Sequence, residues 1–354
     1  MKNFEELFID ETRYGVKVPT SEYEEAGAHI IIDQGQSSIA GYTDRENGLF
    51  EKVPAIIFGD HTRVIKYVDK PFFLGADGVK VLRSKDENAN YRYLYYALKN
   101  AKIPDTGYNR HFKWLKEIQI EYPNSDIQAQ IVDILDAISE IINKRKAELL
   151  DLDNLIKARF VELFGDPVIN PKGFPCYTVG EVIDFQGGSQ PDKKFFEYEA
   201  SPDNIRLIQI RDYKSDKYIT YIPKTMAKRF CTADDIMIGR YGPPIFQILK
   251  GIGGSFNVAL MKATPKMGNR EFIRQFLKQD CLLEYLEGLS KRTAGQDGIQ
   301  MDKLRAYPFP YPPMELQEQF AAFVRQVDKS KVAVKKALDE TQLLFDSLMQ
   351  KYFG

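Results

Sequence analysis

The sequence predicts an α+β molecule in which two mixed α/β globules alternate with two long helices that pair as an antiparallel coiled coil, a pseudo-twofold chain. The first observation behind this is an internal repeat. A 41-residue pattern occurs twice without a gap, 189 positions apart, from Ser125 to Gly165 and from Met314 to Gly354. Identical pairs are Gln128/Gln317, Gln130/Gln319, Lys146/Lys335, Leu149/Leu338, Leu155/Leu344, Phe164/Phe353 and Gly165/Gly354, and a proline precedes each copy at Pro123 and Pro312. The second is periodicity. Apolar residues recur three and four apart through both copies, as on one face of a helix. The third is punctuation. Each copy lacks an internal Pro or Gly and closes on Phe-Gly, a helix-stop signal.

Each element follows from these. A helix of 35–40 residues spans about 50–60 Å, and a stripe of that length needs a partner. The other copy is the obvious one, through Ile131, Leu135, Ile138, Leu149, Ile156 and Phe160 on one helix and Phe320, Val324, Val327, Leu338, Phe345 and Met349 on the other. The alternative is two separate amphipathic helices, each lying on its own globule. The boundaries are 1–124 for the first globule, 125–165 for the first helix, 166–313 for the second globule and 314–354 for the second helix. Short β-branched runs, Val53 to Phe58, Arg63 to Val68, Ile205 to Ile210 and Ile236 to Ile238, predict strands broken by Gly and Pro. Tyr91 to Ala101 and Arg270 to Gly288 predict one helix in each globule. The globules are themselves weakly alike: both carry an apolar strand ending in Gly, an Asn before the helix, and a closing Tyr-Pro.

Composition narrows the class. A 44% apolar fraction fills ordinary cores, and no run of 18 apolar residues predicts a membrane helix. Three scattered cysteines give no metal spacing or disulfide framework, as expected in a reducing cytoplasm. Net charge is −1 overall, with the mildly basic stretch at 166–313, which carries 21 basic and 17 acidic side chains. Charge therefore neither demands nor excludes a nucleic acid.

No motif for chemistry appears. There is no GxxxxGK[ST] loop, HExxH, GxSxG or paired metal-ligand spacing, and Gly251-Ile-Gly253-Gly254 lacks the context of a dinucleotide loop. Binding residues are better represented. His61, Arg63 and Lys66 follow Gly59-Asp60; Asn109, Arg110, His111 and Lys113 lie among aromatics beside Tyr108. In the second globule Arg211, Arg240, Tyr241, Lys291, Arg292 and Gln296 are the candidates. Arg and Lys suit phosphates and guanine, and Asn and Gln suit adenine. Solvated surface charge is the competing explanation for any one cluster; recurrence at matching places in both halves favours binding.

Two divergent globules, each followed by a Pro-x4-Gln-x-Gln helix ending in Phe-Gly, resemble the DNA specificity subunit of type I restriction–modification systems. Gly59-Asp60-His61-Thr62-Arg63 and Gly75-Ala-Asp77-Gly78 also resemble that family's target-recognition domains. The resemblance implies that each globule reads one half of a split double-stranded DNA site and that the helices set the gap between halves. It further implies docking of methyltransferase subunits on the helices, recruitment of restriction/motor subunits, and cytoplasmic work in DNA methylation and restriction. S-adenosylmethionine, ATP and magnesium would belong to those partners, and this chain would hold no cofactor, metal or catalytic residue. Two other readings stay open: a coiled-coil scaffold binding proteins only, and a nuclease or transferase whose site is assembled from distant residues.

Overall fold

The computed structural model describes residues 1–75, 77–107, 109–241, 244–290 and 298–354. The chain forms two compact units, Met1–Ala147 with Lys335–Gly354, and Glu148–Val334. Each unit thus takes one globule and a half of each long helix, and both helices, Ser125–Phe164 and Met314–Phe353, are continuous over 40 residues.

In the first unit, a four-stranded antiparallel sheet runs Phe8–Asp10, Val79–Ser84, Ala55–Gly59, Ile65–Val68 in spatial order. A three-stranded sheet joins Gly41–Thr43, His29–Ile32 and Phe72–Leu74, the last two parallel. Ala55–Gly59 is buried along its whole length, which explains its unbroken apolar sequence. The helix Tyr91–Lys99 starts at Asn90, whose side chain accepts from the Tyr93 amide at 3.1 Å. It packs its aromatic face on that sheet with Phe4, Leu7, Leu94 and Leu98 buried.

The second unit repeats the plan. Ile183–Gly187, Leu260–Pro265, Ile236–Gly239 and Gln247–Lys250 form the antiparallel sheet. Asn204–Ile208 lies parallel to Gly254–Phe256 in the other. Asn269 caps the helix Arg270–Leu277 as Asn90 caps its counterpart, accepting from Glu271 N at 2.9 Å. One expectation is corrected: the single helix Arg270 to Gly288 is two, Arg270–Leu277 and Asp280–Ser290. At the break the Gln279 side-chain amide donates to the Gln275 carbonyl at 3.0 Å, satisfying an acceptor that a continuing helix would have used.

Within each unit the halves of the long helices run antiparallel. In the first, Tyr96 touches Asp136 and Ser139 on one helix and Phe345 on the other, and Arg145 donates to the Ala337 carbonyl and Thr341 hydroxyl. In the second, Lys331 pairs with Asp153, and Phe320 meets Phe160 at 5.6 Å and Phe164 at 5.4 Å. Residue numbers rise on one helix as they fall on the other in both units. Ile131, Leu135, Ile138, Leu338, Phe345 and Met349 are buried in the first unit; Ile156, Phe160, Phe320, Val324 and Val327 are buried in the second, and Leu149 is half-buried.

The apolar stripe is wider than the seam. Ile127, Ile134, Ile141 and Leu155 on the first helix and Leu344 on the second are exposed, although they fit the helical period. A helix at 100° per residue drifts against a seven-residue spacing, so residues taken only by period fall to the flank of the buried face. The stop glycine is real: Gly165 has φ of 75°, its amide returns to the Val161 carbonyl at 2.8 Å, and an added Cβ would meet Pro171 at 2.4 Å.

Candidate nucleic-acid interface

In the first globule the turn that follows Ala55–Gly59 meets three other segments, around Gly78, His111 and Gln34. The turn leaves the strand at Gly59 and closes with Gly59 N to Val64 O at 2.8 Å and Arg63 N to Gly59 O at 2.7 Å, Arg63 itself having φ of 61°. Asp60 is buried. Its amide donates to Gly78 O at 2.7 Å, its carboxylate accepts from Phe112 N at 2.7 Å, and its carbonyl accepts from the His111 ring Nδ1 at 3.0 Å. Gln34 fastens the third loop: its Oε1 accepts from His61 N at 3.2 Å, its Nε2 donates to Asp77 O at 2.9 Å, and its carbonyl accepts from the Thr62 hydroxyl at 2.6 Å. A surface loop held by this many internal bonds keeps one shape, and presentation to a ligand then costs little ordering entropy.

The predicted residues fall into distinct places on this frame. His61 is half-buried at the turn. Arg63 pairs with Asp105 at 2.8 Å and donates to Ile103 O, so its charge is partly spent inside the protein. Lys66 and His111 are enclosed. Lys66 sits 3.3 Å from Asp33, and burial pulls its ammonium below the usual lysine range against the opposing pull of Asp33. His111 supports Asp60 from beneath. Asn109, Arg110 and Lys113 are exposed, Lys113 lying 4.8 Å over the Trp114 ring; Tyr108 lies outside the described residues. Gln34 carries no signature in the linear sequence, because what marks it is a contact across 27 and 43 positions.

The second globule builds the same corner differently. Arg240 follows Ile236–Gly239 and its amide donates to Ala259 O at 2.9 Å, as Asp60 N does to Gly78 O. Its guanidinium lies 5.2 Å from the exposed Tyr241 ring, and Tyr241 bridges to Gly298. Arg211 is exposed and donates to the Thr220 hydroxyl at 3.0 Å, close to the buried Asp212. Lys291, Arg292 and Gln296 lie outside the described residues, as do Thr293, Gly295, Asp297 and Gly242.

The repeat motif has a physical account. In both copies the glutamine five residues after the proline turns its Nε2 back to that proline's carbonyl: Gln128 to Pro123 O and Gln317 to Pro312 O, each at 2.8 Å. Gln317 Oε1 also accepts from Asn269 N at 2.8 Å, tying the start of the second long helix to the cap of Arg270–Leu277. In the first unit Tyr96, which donates to Asp136, plays the tying role; burial first and that bond second push its phenol up to about 12. Among the described residues no group of three or more His, Cys, Asp and Glu is disposed to hold a metal, and no helix is long and apolar enough to cross a membrane.

Comparison with known proteins agrees with this doubled plan. The chain is 28% identical over 202 residues to the specificity subunit of the type I restriction enzyme EcoR124I/EcoR124II of Escherichia coli, covering 53% of this chain and 48% of that protein. It thus spans about half the length of that curated relative. In fold it is similar to the S subunit of a type I restriction–modification system from M. genitalium, with a TM-score of 0.57 at 19% identity over 100% of this chain and 95% of that one. It is also similar to a chain solved in work on complex assembly and conformational transition of the type I R-M system, with a TM-score of 0.51 at 18% identity over 100% and 99% of the two chains. The model of the type I restriction modification DNA specificity domain matches residues 12–151 and again 171–341, so each half of the chain carries one copy, and the protein belongs to that family.

Proposed function

We propose that this chain is the non-catalytic DNA-reading subunit of a type I restriction–modification complex, recognising a bipartite double-stranded site with one half-site per globule. The modules are 1–124 and 166–313 as target-recognition domains and 125–165 and 314–354 as spacers. Methyltransferase and restriction/motor subunits dock on the helices in the cytoplasm and supply S-adenosylmethionine, ATP and magnesium chemistry. The observation that carries the reading is the twofold family match set against two loop corners of opposite charge, Asp60 and Arg240. One frame with two different corners suits two different half-sites.

The test is to assemble the full chain with its methyltransferase subunits and map the methylated positions. A two-part motif with a fixed gap is the expected result. Inserting seven residues in the first helix should change that gap by about three base pairs, from roughly 1.5 Å per residue and 3.4 Å per base-pair step. Assembly with protein partners but no sequence-specific modification would leave only the protein scaffold, and turnover by the purified chain would establish an enzyme.

The identical pairs in the repeat support docking on the helices. Gln128/Gln317, Leu149/Leu338 and Phe164/Phe353 are wholly or partly buried, whereas Gln130/Gln319, Lys146/Lys335 and Leu155/Leu344 are exposed. Folding explains the first set. Within the second set Lys335 pairs with Asp339 at 2.9 Å one turn on, a solvent-exposed contact worth little, and burial explains none of the set; the same surface presented twice suits two copies of one subunit. Leu155→Glu and Leu344→Glu should each weaken capture of one methyltransferase copy about 10–100-fold, the worth of a buried leucine, and together prevent assembly. Sedimentation of the reconstituted mixture measures this; unchanged stoichiometry in the double variant would refute docking at these leucines.

A further inference from the structure

We propose that Arg240 reads a guanine in the half-site of the second globule, and that the matching position of the first globule reads no base. This rests on the DNA-reading function above and adds which residue reads which base. The two corners are built on the same backbone plan: a buried strand ends in glycine, at Gly59 and Gly239, and the next amide is fastened across the sheet, Asp60 N to Gly78 O and Arg240 N to Ala259 O. The side chains at this shared position then diverge. Asp60 is turned inward, buried, and used up by the Phe112 amide. Arg240 is half-buried, and among the described residues no carboxylate pairs with it. Two other cations of this unit, Arg206 and Lys262, are both paired, with Asp216 at 2.7 Å and Asp235 at 3.8 Å.

The surroundings leave the guanidinium room and hold it in place. Gly187 and Gly188 close the strand beside it. A Cβ on Gly187 would lie 3.7 Å from Arg240 Nη1, and one on Gly188 would overlap Asn257 O at 1.9 Å, so the chain here is bare and close-packed. Arg240 Nη1 reaches Val258 O only at 3.4 Å, a weak bond, and among the described residues no other acceptor is bonded to its guanidinium. The Tyr241 ring supports its plane from one side, and Asn257 and Gln190 line the same corner, joined at 3.3 Å. A planar fork of donors with no acceptor matches guanine, whose major-groove edge offers O6 and N7 as two acceptors. Adenine offers a donor at one of those places and is refused.

The experiment maps methylation by the full chain assembled with its methyltransferase subunits, comparing wild type with R240A, R240K and R240Q. The expected result is that R240A loses its preference for guanine at one position of one half-site, discrimination falling about 10–100-fold, while the other half-site is unchanged. R240K keeps most of the binding and little of the discrimination, because an ammonium has no planar fork. R240Q, with an acceptor as well as a donor, shifts preference towards adenine at that position. A uniform fall in rate on an unchanged motif would show a phosphate contact and overturn the proposal, as would an unchanged motif and rate. Thermal melts of each variant identify misfolding, and a variant that melts like wild type decides the question. If wild type itself modifies no two-part motif, the DNA-reading function fails and this assignment with it; a wild-type motif with no guanine on either strand of the half-site of the second globule overturns this assignment alone.

Discussion

Phe320→Ala is expected to destabilise the second unit by about 3–5 kcal/mol, the usual cost of removing a buried phenylalanine. Phe320 is fully buried, with edge-on ring contacts to Phe160 and Phe164. Those rings in turn meet Phe272 at 5.8 and 4.7 Å, so one side chain closes a cluster drawn from both long helices and from Arg270–Leu277. Each aromatic pair adds about 0.5–1.5 kcal/mol beyond its buried area, and the cavity left by truncation lies where three helices cannot easily collapse. Hydrogen exchange of the full chain should show the loss in amides of 314–334 and 270–277. A change under about 1 kcal/mol there would mean that the helix is held elsewhere. Leu344→Ala is the contrasting control. That leucine belongs to an identical pair of the repeat but is exposed, and its change should stay within about 0.5 kcal/mol.

Gln317→Ala should cost about 2–6 kcal/mol, from two buried groups left unpaired at about 1–3 kcal/mol each. The side chain is fully buried, its amide nitrogen on Pro312 O and its oxygen on Asn269 N. Asn269 is also the cap of Arg270–Leu277, so the loss should reach both helix starts. Gln128→Ala, whose side chain donates to Pro123 O in the same way and also bonds the half-buried Tyr122, should cost less, because its second partner is a phenol near solvent rather than a helix-start amide. Urea unfolding of the three proteins under one set of conditions checks the order. Equal effects of the two substitutions, or a smaller one at Gln317, would contradict this account.

These two residues show what could be found in the sequence. The repeat named Gln128 and Gln317 because both copies use the same local return to a proline five residues back, and a contact that short leaves a spacing in the chain. Helix lengths were legible for the same reason: each stripe is local, and each stops at a glycine. The split of 270–288 into two helices was not, because the apolar period continues through Lys278 and Gln279 while the backbone turns. The site was the least legible part. Lys66 and His111 have the composition of surface ligands and lie inside, whereas Gln34, with nothing to mark it, holds three loops together.

The sequence by itself determined the doubled plan, two helices of about 35–40 residues and the family, since the helices rest on a local period and the doubling and family on a pattern repeated 189 positions apart. Only the tertiary structure decided which apolar helix residues are buried and which remain outside, because helical drift leaves both kinds in one period. At the position that the sequence already matches after each strand's glycine, it alone enclosed the Asp60 side chain and left that of Arg240 half-open. That difference depends on strands brought together from distant parts of the chain, whose contacts no local spacing records.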